Sequence, residues 1–379
     1  MNTTYYLWIH YREYLSFGHK KDFPFLCFTL PFCCLYTANI DANEITKKNN
    51  IPPSNQILLD ESSAIKDADD NTVLAWMDDS EDKLADTIHD YSESLDQYVG
   101  KEDEDEPMMN RSYLRIKFKP RYSHRGYSDF DANVYLKLDL PHTKRNWKLI
   151  FETDPDDFDS LESKQRGISG ENDSTSSAVG GVRLQDRIFG NWKTNFDIGV
   201  KIRWPPDPFV RVNASRVDIL SDRWTSRIKQ EIFFYHEKGP GAVTYFDFYR
   251  AMNEDETQIF KASTSGQYLD EDNNWELVQT FEYFNRLSNN HLMEYTTGIS
   301  ADTREEDEIS NYWVSASWTQ KLYKDWIYLT IEPEIEFPKE YDYHINPGIM
   351  LQLELFFIKN GNYDRLNRYI PLPYEKNQP

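Results

Sequence analysis

The chain has 379 residues, 15% of them aromatic, a net charge of −22 and a mean hydropathy of −0.74. No apolar run of 18 residues occurs beyond the N-terminal region, which excludes a bundle of membrane-spanning helices, and the acidic balance excludes nucleic acid as a partner, since phosphate binding needs basic patches. Cys27, Cys33 and Cys34 all lie in one N-terminal apolar run, so the rest of the chain has neither a disulfide framework nor a thiolate metal site.

Lys20 and Lys21 precede the apolar run Phe23 to Leu35, and the small residue Ala38 follows. This reads as a secretory signal peptide over residues 1–38. Residues 39–111 are acidic. Within 41–111, 6 Lys and Arg stand against 20 Asp and Glu, a net of 6 − 20 = −14, and 41–72 in particular is expected to be disordered. One segment differs. Leu84, Ile88, Tyr91, Leu95 and Tyr98 recur at helical spacing, with Ser80 before them and Gly100 after. The spacing predicts an amphipathic helix over about 80–99, which packs on the following domain or dimerises, or else serves as a plug or a partner-binding helix. Glu102 to Glu106 and Pro107 form an acidic linker.

From residue 112 the period becomes two. Leu114, Ile116 and Phe118 oppose Arg115, Lys117 and Lys119; Phe196, Ile198, Val200, Ile202 and Trp204 oppose Asp197, Lys201 and Arg203. The same alternation closes the domain. Ile327, Leu329, Ile331 and Ile335 oppose Thr330, Glu332, Glu334 and Glu336, and Ile349, Leu351, Leu353, Leu355 and Phe357 oppose Gln352 and Glu354. Each strand therefore has one apolar and one polar face. Fourteen such arms can be drawn between 112 and 357 (twelve is the alternative), the least regular at 177–189, and Pro333 implies a bulge or a lost ladder bond. Longer connections at 123–130, 154–176, 302–310 and 338–346 alternate with short ones. The expected fold is all-β: an antiparallel transmembrane β-barrel, with an acidic N-terminal segment holding one helix and a C-terminal extension at 358–379.

Closure would pair the first strand with the last and set Arg115, Lys117 and Lys119 beside Gln352 and Glu354. The lumen-facing charges divide by strand: Arg115, Lys117, Lys119, Lys201, Arg203 and Arg211 come from the first half, and Glu332, Glu334, Glu336 and Glu354 from the second. Such a wall would orient small polar or charged solutes in a channel, or pair with itself and fill the lumen. No catalytic constellation, phosphate loop or zinc-ligand spacing is present, so no cofactor is expected. Asp342 and His344 in one loop fall short of a catalytic pattern. Asp154 to Asp159 and Glu305 to Glu308 read as solvated acidic loops, with Ca²⁺ as the alternative.

The signal, the acidic helical lead-in, the alternating strands and the ending Leu353-Glu-Leu-Phe-Phe357 resemble a Gram-negative outer-membrane β-barrel. Leu84–Tyr98, Arg115–Lys119 and Leu136–Pro141 are also similar to uncharacterised gammaproteobacterial barrel proteins. The resemblance implies a porin-like protein of the cell outer membrane, in contact with lipid and lipopolysaccharide. It also implies Phe357 as the residue read by the barrel-assembly machinery, although 22 residues follow it here.

Overall fold

The computed structural model describes residues 66–99, 110–125, 128–141, 143, 147–153, 155–168, 178–303, 308–359, 366, 370, 371 and 373. The signal peptide, residues 41–65 and the acidic linker lie outside the described residues. Helix α1 (Lys66–Val99) precedes fourteen strands. These are β1 (Tyr113–Ser123), β2 (Ser128–Leu140), β3 (Trp147–Thr153), β4 (Ala178–Phe189), β5 (Trp192–Ile202), β6 (Asp207–Ser221), β7 (Trp224–Tyr235), β8 (Gly239–Ala251), β9 (Gln258–Leu269), β10 (Asn274–Ser288), β11 (His291–Asp302), β12 (Glu308–Tyr323), β13 (Ile327–Glu336) and β14 (Asn346–Ile358). Helix α2 (Leu161–Arg166) lies between β3 and β4.

Each strand pairs antiparallel with its neighbours in sequence, and β1 pairs with β14, so the barrel is closed. The seam runs from Tyr113 opposite Ile358 to Ser123 opposite Gly348, with Lys117 facing Glu354. At Pro333 the strand keeps its register with β14. Its pairing with β12 is interrupted between Ile331 and Glu334 and resumes in step, so the proline loses a ladder bond without a bulge.

The alternation read from the sequence separates an outer from an inner surface. Ile198, Val212, Ile232, Phe246, Leu277, Val314 and Leu351 are exposed on the outside. Trp192, Trp224 and Trp326 mark the end of the barrel with short turns, and Tyr122, Trp204 and Trp275 the end with long loops. Inward side chains are largely polar, and several are fully buried, among them Asp197, Gln267 and Glu354.

Helix α1 begins at Lys66, so Ser80 lies inside it. The Ser80 hydroxyl donates to Trp76 O at 2.7 Å, one turn back, instead of capping a helix start. Lys66 to Thr72, expected to be disordered, are its first turns. The stripe is also rotated. Ala85, Ile88, Ser92 and Asp96 are buried, whereas Tyr91 and Tyr98 are exposed. The helix follows the turn end of the wall. Asp78 pairs with Lys324 at 2.7 Å between β12 and β13, Asp86 with Lys359 at 3.0 Å beyond β14, and Ser92 Oγ donates to Asp139 O on β2. It therefore packs on the barrel rim and does not fill the lumen. Lys324 holds the Asp78 carboxyl below the usual carboxylate range by hydrogen bond and charge, and Asp86 raises Lys359 in the same way.

Candidate functional site: a lumen closed from one side

The connection between β3 and β4 folds inward. A 3-10 turn at Asp156–Phe158 leads into α2. Ser160 caps α2 by accepting from Ser163 N at 3.1 Å, and Gly167 ends it in the left-handed region (φ 64°), where the lack of a Cβ removes the strain. This six-residue helix has no length to be stable alone, so its place is set by what it touches.

With the turn before it, it meets inward side chains of β4 and of β6–β13. Leu161, fully buried, sits among Val179, Phe209, Phe233, Val243, Val278 and Trp313. Asp157 accepts from Arg211 and from the Tyr235 hydroxyl. Lys164 donates to Gln267 Oε1 at 2.7 Å, and Glu162 accepts from Asn311 at 2.6 Å and from Ser300. Arg166 reaches Glu334 at 2.6 Å and Glu336 at 2.9 Å, and Arg121 of β1 reaches the same two carboxylates at 2.7 and 3.0 Å. Burial works against the charge of Arg166, but Glu162, Glu334 and Glu336 outweigh it and hold the guanidinium protonated far above its ordinary range. Trp313 fits beneath because its inward neighbour across the β11–β12 ladder is Gly298, where a Cβ would overlap the indole.

The sequence-derived charges separate on this frame. Arg115, Lys117, Lys119 and Arg211 face inward on β1 and β6, and Glu332, Glu334, Glu336 and Glu354 face inward on β13 and β14. Arg115 lies over the Tyr135 ring at 5.3 Å. Lys119 turns from the seam: it donates to Gly167 O at 2.8 Å and pairs with Asp131 of β2 at 3.4 Å. Lys201 is buried at the long-loop end of β5. Arg203 departs from expectation. It lies beyond β5, where the strand period no longer fixes its direction, and pairs with Asp207 and Glu237 on the rim instead of the lumen wall. Phe357 faces outward and packs on Trp326, ring centroids 5.5 Å apart. His344 Nδ1 lies 2.8 Å from Tyr341 O, occupied by backbone. Asp157, expected in a solvated loop, is buried. The sequence reading missed Arg121, Asp157, Glu162 and Arg166 as lumen groups, and of these only Arg121 carries a signal in the strand period.

One asymmetry organises the lumen. On β8–β14 most inward residues are buried, including Asp247, Ser263, Gln267, Glu276, Thr280, Trp313, Thr330 and Gln352, while Tyr245, Lys261, Glu294, Thr296 and Glu332 are partly accessible. On β1–β7 the inward residues Arg115, Lys117, Asn133, Lys137, Lys148, Lys193, Asn195, Asn213, Arg227 and Lys229 remain partly accessible. The accessible wall is rich in cations, and of the acids of β13 and β14, Glu334, Glu336 and Glu354 are buried. Pairs such as Arg183–Asp197 (2.7 Å) and Arg227–Asp247 (2.6 Å) fix the basic side chains against the wall.

No protein-family model matches the chain, and no curated protein matches it in sequence. Among solved structures it is similar to OccK3 (OpdO) of Pseudomonas aeruginosa, with 9% identity over 69% of this chain and 97% of that one, at a TM-score of 0.40. It is also similar to the outer membrane channel DcaP of Acinetobacter baumannii (9% identity, 66% and 96%, TM-score 0.39) and to a bacterial polysaccharide outer membrane secretin (12%, 66% and 99%, TM-score 0.39).

Proposed function

We propose that the protein is an outer-membrane barrel that conducts small polar or charged solutes, with anions favoured, along the basic wall of β1–β7. The observation that carries this reading is the accessibility of that wall, set against the burial of the β8–β14 wall. A closed barrel leaves no free strand edge, and its outward apolar band between aromatic ends suits a bilayer. The short turns and both barrel termini then face the periplasm, and the long loops face outward. The inward loop packs inside the long-loop end against Val179, Phe233 and Trp313, and the partly accessible Arg115, Lys193, Arg227 and Lys229 would line the remaining path. Fixed cations along a narrow path lower the barrier for anions. The expected roles of outer-membrane lipid and lipopolysaccharide as surroundings, and of Phe357 as the signal to the assembly machinery, belong to the same proposal.

A second reading is favoured by one observation. Glu162, Arg166, Arg121, Glu334 and Glu336 form a continuous buried network that could hold the lumen shut in a structural barrel. Conductance of the purified protein in a planar bilayer under a salt gradient separates the two. A reversal potential of the sign set by anions supports the channel. Absence of conductance under all conditions supports the filled barrel.

A further inference from the structure

The chain continues past β14, and its extension returns to the barrel. Leu366, seven residues beyond Lys359, is fully buried in a cluster of Tyr249, Ile259, Phe284, Leu292 and Tyr328, with Ile370 packed against it. Each of these five residues faces inward and lies at the turn end of its strand: Tyr249 near the close of β8, Ile259 at the start of β9, Phe284 near the close of β10, Leu292 and Tyr328 at the starts of β11 and β13. Seven residues reach up to about 25 Å, enough to carry the chain from the end of β14 to that side of the mouth.

The pocket is built by the strands themselves. Its polar neighbours satisfy one another: Lys261 pairs with Glu282 at 2.9 Å, Thr280 donates to Glu282 at 2.9 Å, and Asp247 accepts from Arg227 and from Ser263. The Tyr328 hydroxyl donates to Asp325 O at 3.2 Å. An apolar recess framed by completed polar pairs keeps its shape when its occupant leaves. The occupant is a short segment carrying a leucine, in a turn, and an isoleucine, at a bend, followed by Pro371 and Pro373, which fix the backbone beyond them.

We infer that the turn-end mouth of the lumen is a peptide-binding pocket whose resident ligand is this chain's own tail, seated through Leu366. The pocket takes a peptide bearing a branched aliphatic side chain, and when filled it covers the inward faces of β8–β11 and β13 at that end. Its effect on conduction rests on the channel reading above; the binding itself does not.

The test uses the full chain with Leu366→Asp, which vacates the pocket without touching a strand. A labelled peptide of residues 360–379 is expected to bind this variant, and the same peptide carrying the Leu366→Asp change to bind at least about tenfold more weakly, as loss of one buried leucine requires. The unsubstituted chain, its pocket filled, is expected to bind the peptide weakly. In a chain with Cys27, Cys33 and Cys34 replaced by Ser, Leu366→Cys with Leu292→Cys is expected to crosslink on oxidation. Equal binding of both peptides, or no crosslink, overturns the pocket. If the barrel conducts, Leu366→Asp raises conductance and added peptide lowers it again. If no form conducts while the peptide binds and the crosslink forms, the channel reading falls and the pocket stands.

Discussion

Arg166 is the residue whose loss the inward loop tolerates least. Its side chain is 6% exposed, and its partners Glu334 and Glu336 are 3% and 10% exposed. Arg166→Met keeps an unbranched stem in place of the arginine's own and removes three ion pairs, to Glu162, Glu334 and Glu336. Breaking a buried pair from one side costs about 3–5 kcal/mol, because the abandoned charge stays out of water. Arg121 still reaches both strand carboxylates, so the lower figure applies: about 3 kcal/mol, or roughly a hundredfold in the balance between docked and undocked loop. The barrel ladder is untouched, and the damage stays local. Limited proteolysis within 154–177 should accelerate by about that factor where cleavage follows the open population, and single-channel conductance should rise or become noisy. Adding Glu334→Gln should recover part of the protection, since Arg121 is then left with Glu336, and Glu162 is no longer repelled by a second buried carboxylate. Unchanged cleavage and unchanged conductance in Arg166→Met would refute the clamp.

Gly298→Val should lower the temperature at which the detergent-folded barrel shifts its gel migration, reflecting about 1–3 kcal/mol of overpacking against Trp313; an unaltered transition would show that the indole has room. On the outer surface, Thr244 donates to Gln230, whose amide reaches the carbonyls of Glu231 and Val243 at 3.1 Å. Thr244→Val alone should destabilise by about 1 kcal/mol, and Gln230→Leu with Thr244→Val together by less, since removing both partners leaves nothing unpaired; denaturant midpoints compare them. The α1 contacts should depend on pH in both directions. The lowered Asp78 stabilises docking above the ordinary aspartate range and loses that contribution as pH falls below about 4, whereas the raised Lys324 and Lys359 stabilise it at lower pH and lose theirs above about 10.5. Protease release of α1 should therefore be slowest on the plateau between these limits, and a steady change across neutral pH would contradict the assignment.

The parts of this fold legible in the sequence are those governed by a short period. Alternation alone identifies the outward face of β13 and β14 and the inward set Thr330, Glu332, Glu334 and Glu336, because successive side chains of a strand fall on opposite faces and one face here is apolar. The phase of α1 was less legible. Tyr91 and Tyr98 continue the apolar spacing, but the buried face includes Ser92 and Asp96, and Ser92 meets Asp139 O and the Ser112 hydroxyl at the rim. The inward loop was illegible for a different reason. Residues 154–168 have the composition of a solvated loop, and what turns them inward is a set of partners about 50 to 170 positions away, such as Arg211 for Asp157 and Glu334 for Arg166. The burial of Leu366 is equally remote, since no local pattern points from the tail to Tyr249 or Leu292.

The seam between β1 and β14 bears on how the chain comes to be folded. Tyr113 and Ile358, its first partners, are 358 − 113 = 245 positions apart, whereas all adjacent pairs except β3–β4 and β13–β14 are joined through two to six residues. Closing a loop of that length costs about 5 kcal/mol in chain entropy, against about 3 for one of thirty residues. The difference is small beside the ladder gained, so distance does not prevent closure; it dictates its order. Thirteen hairpin contacts can form as the strands arrive, but until β14 is present β1 stands as an open edge, able to pair with any other chain. The Arg121 pairs with Glu334 and Glu336 span that same gap, so they mark completion of the barrel and contribute nothing before it. A chain ending ahead of β14 would hold nearly all of its sequence and two unsealed edges, making it a template for aggregation.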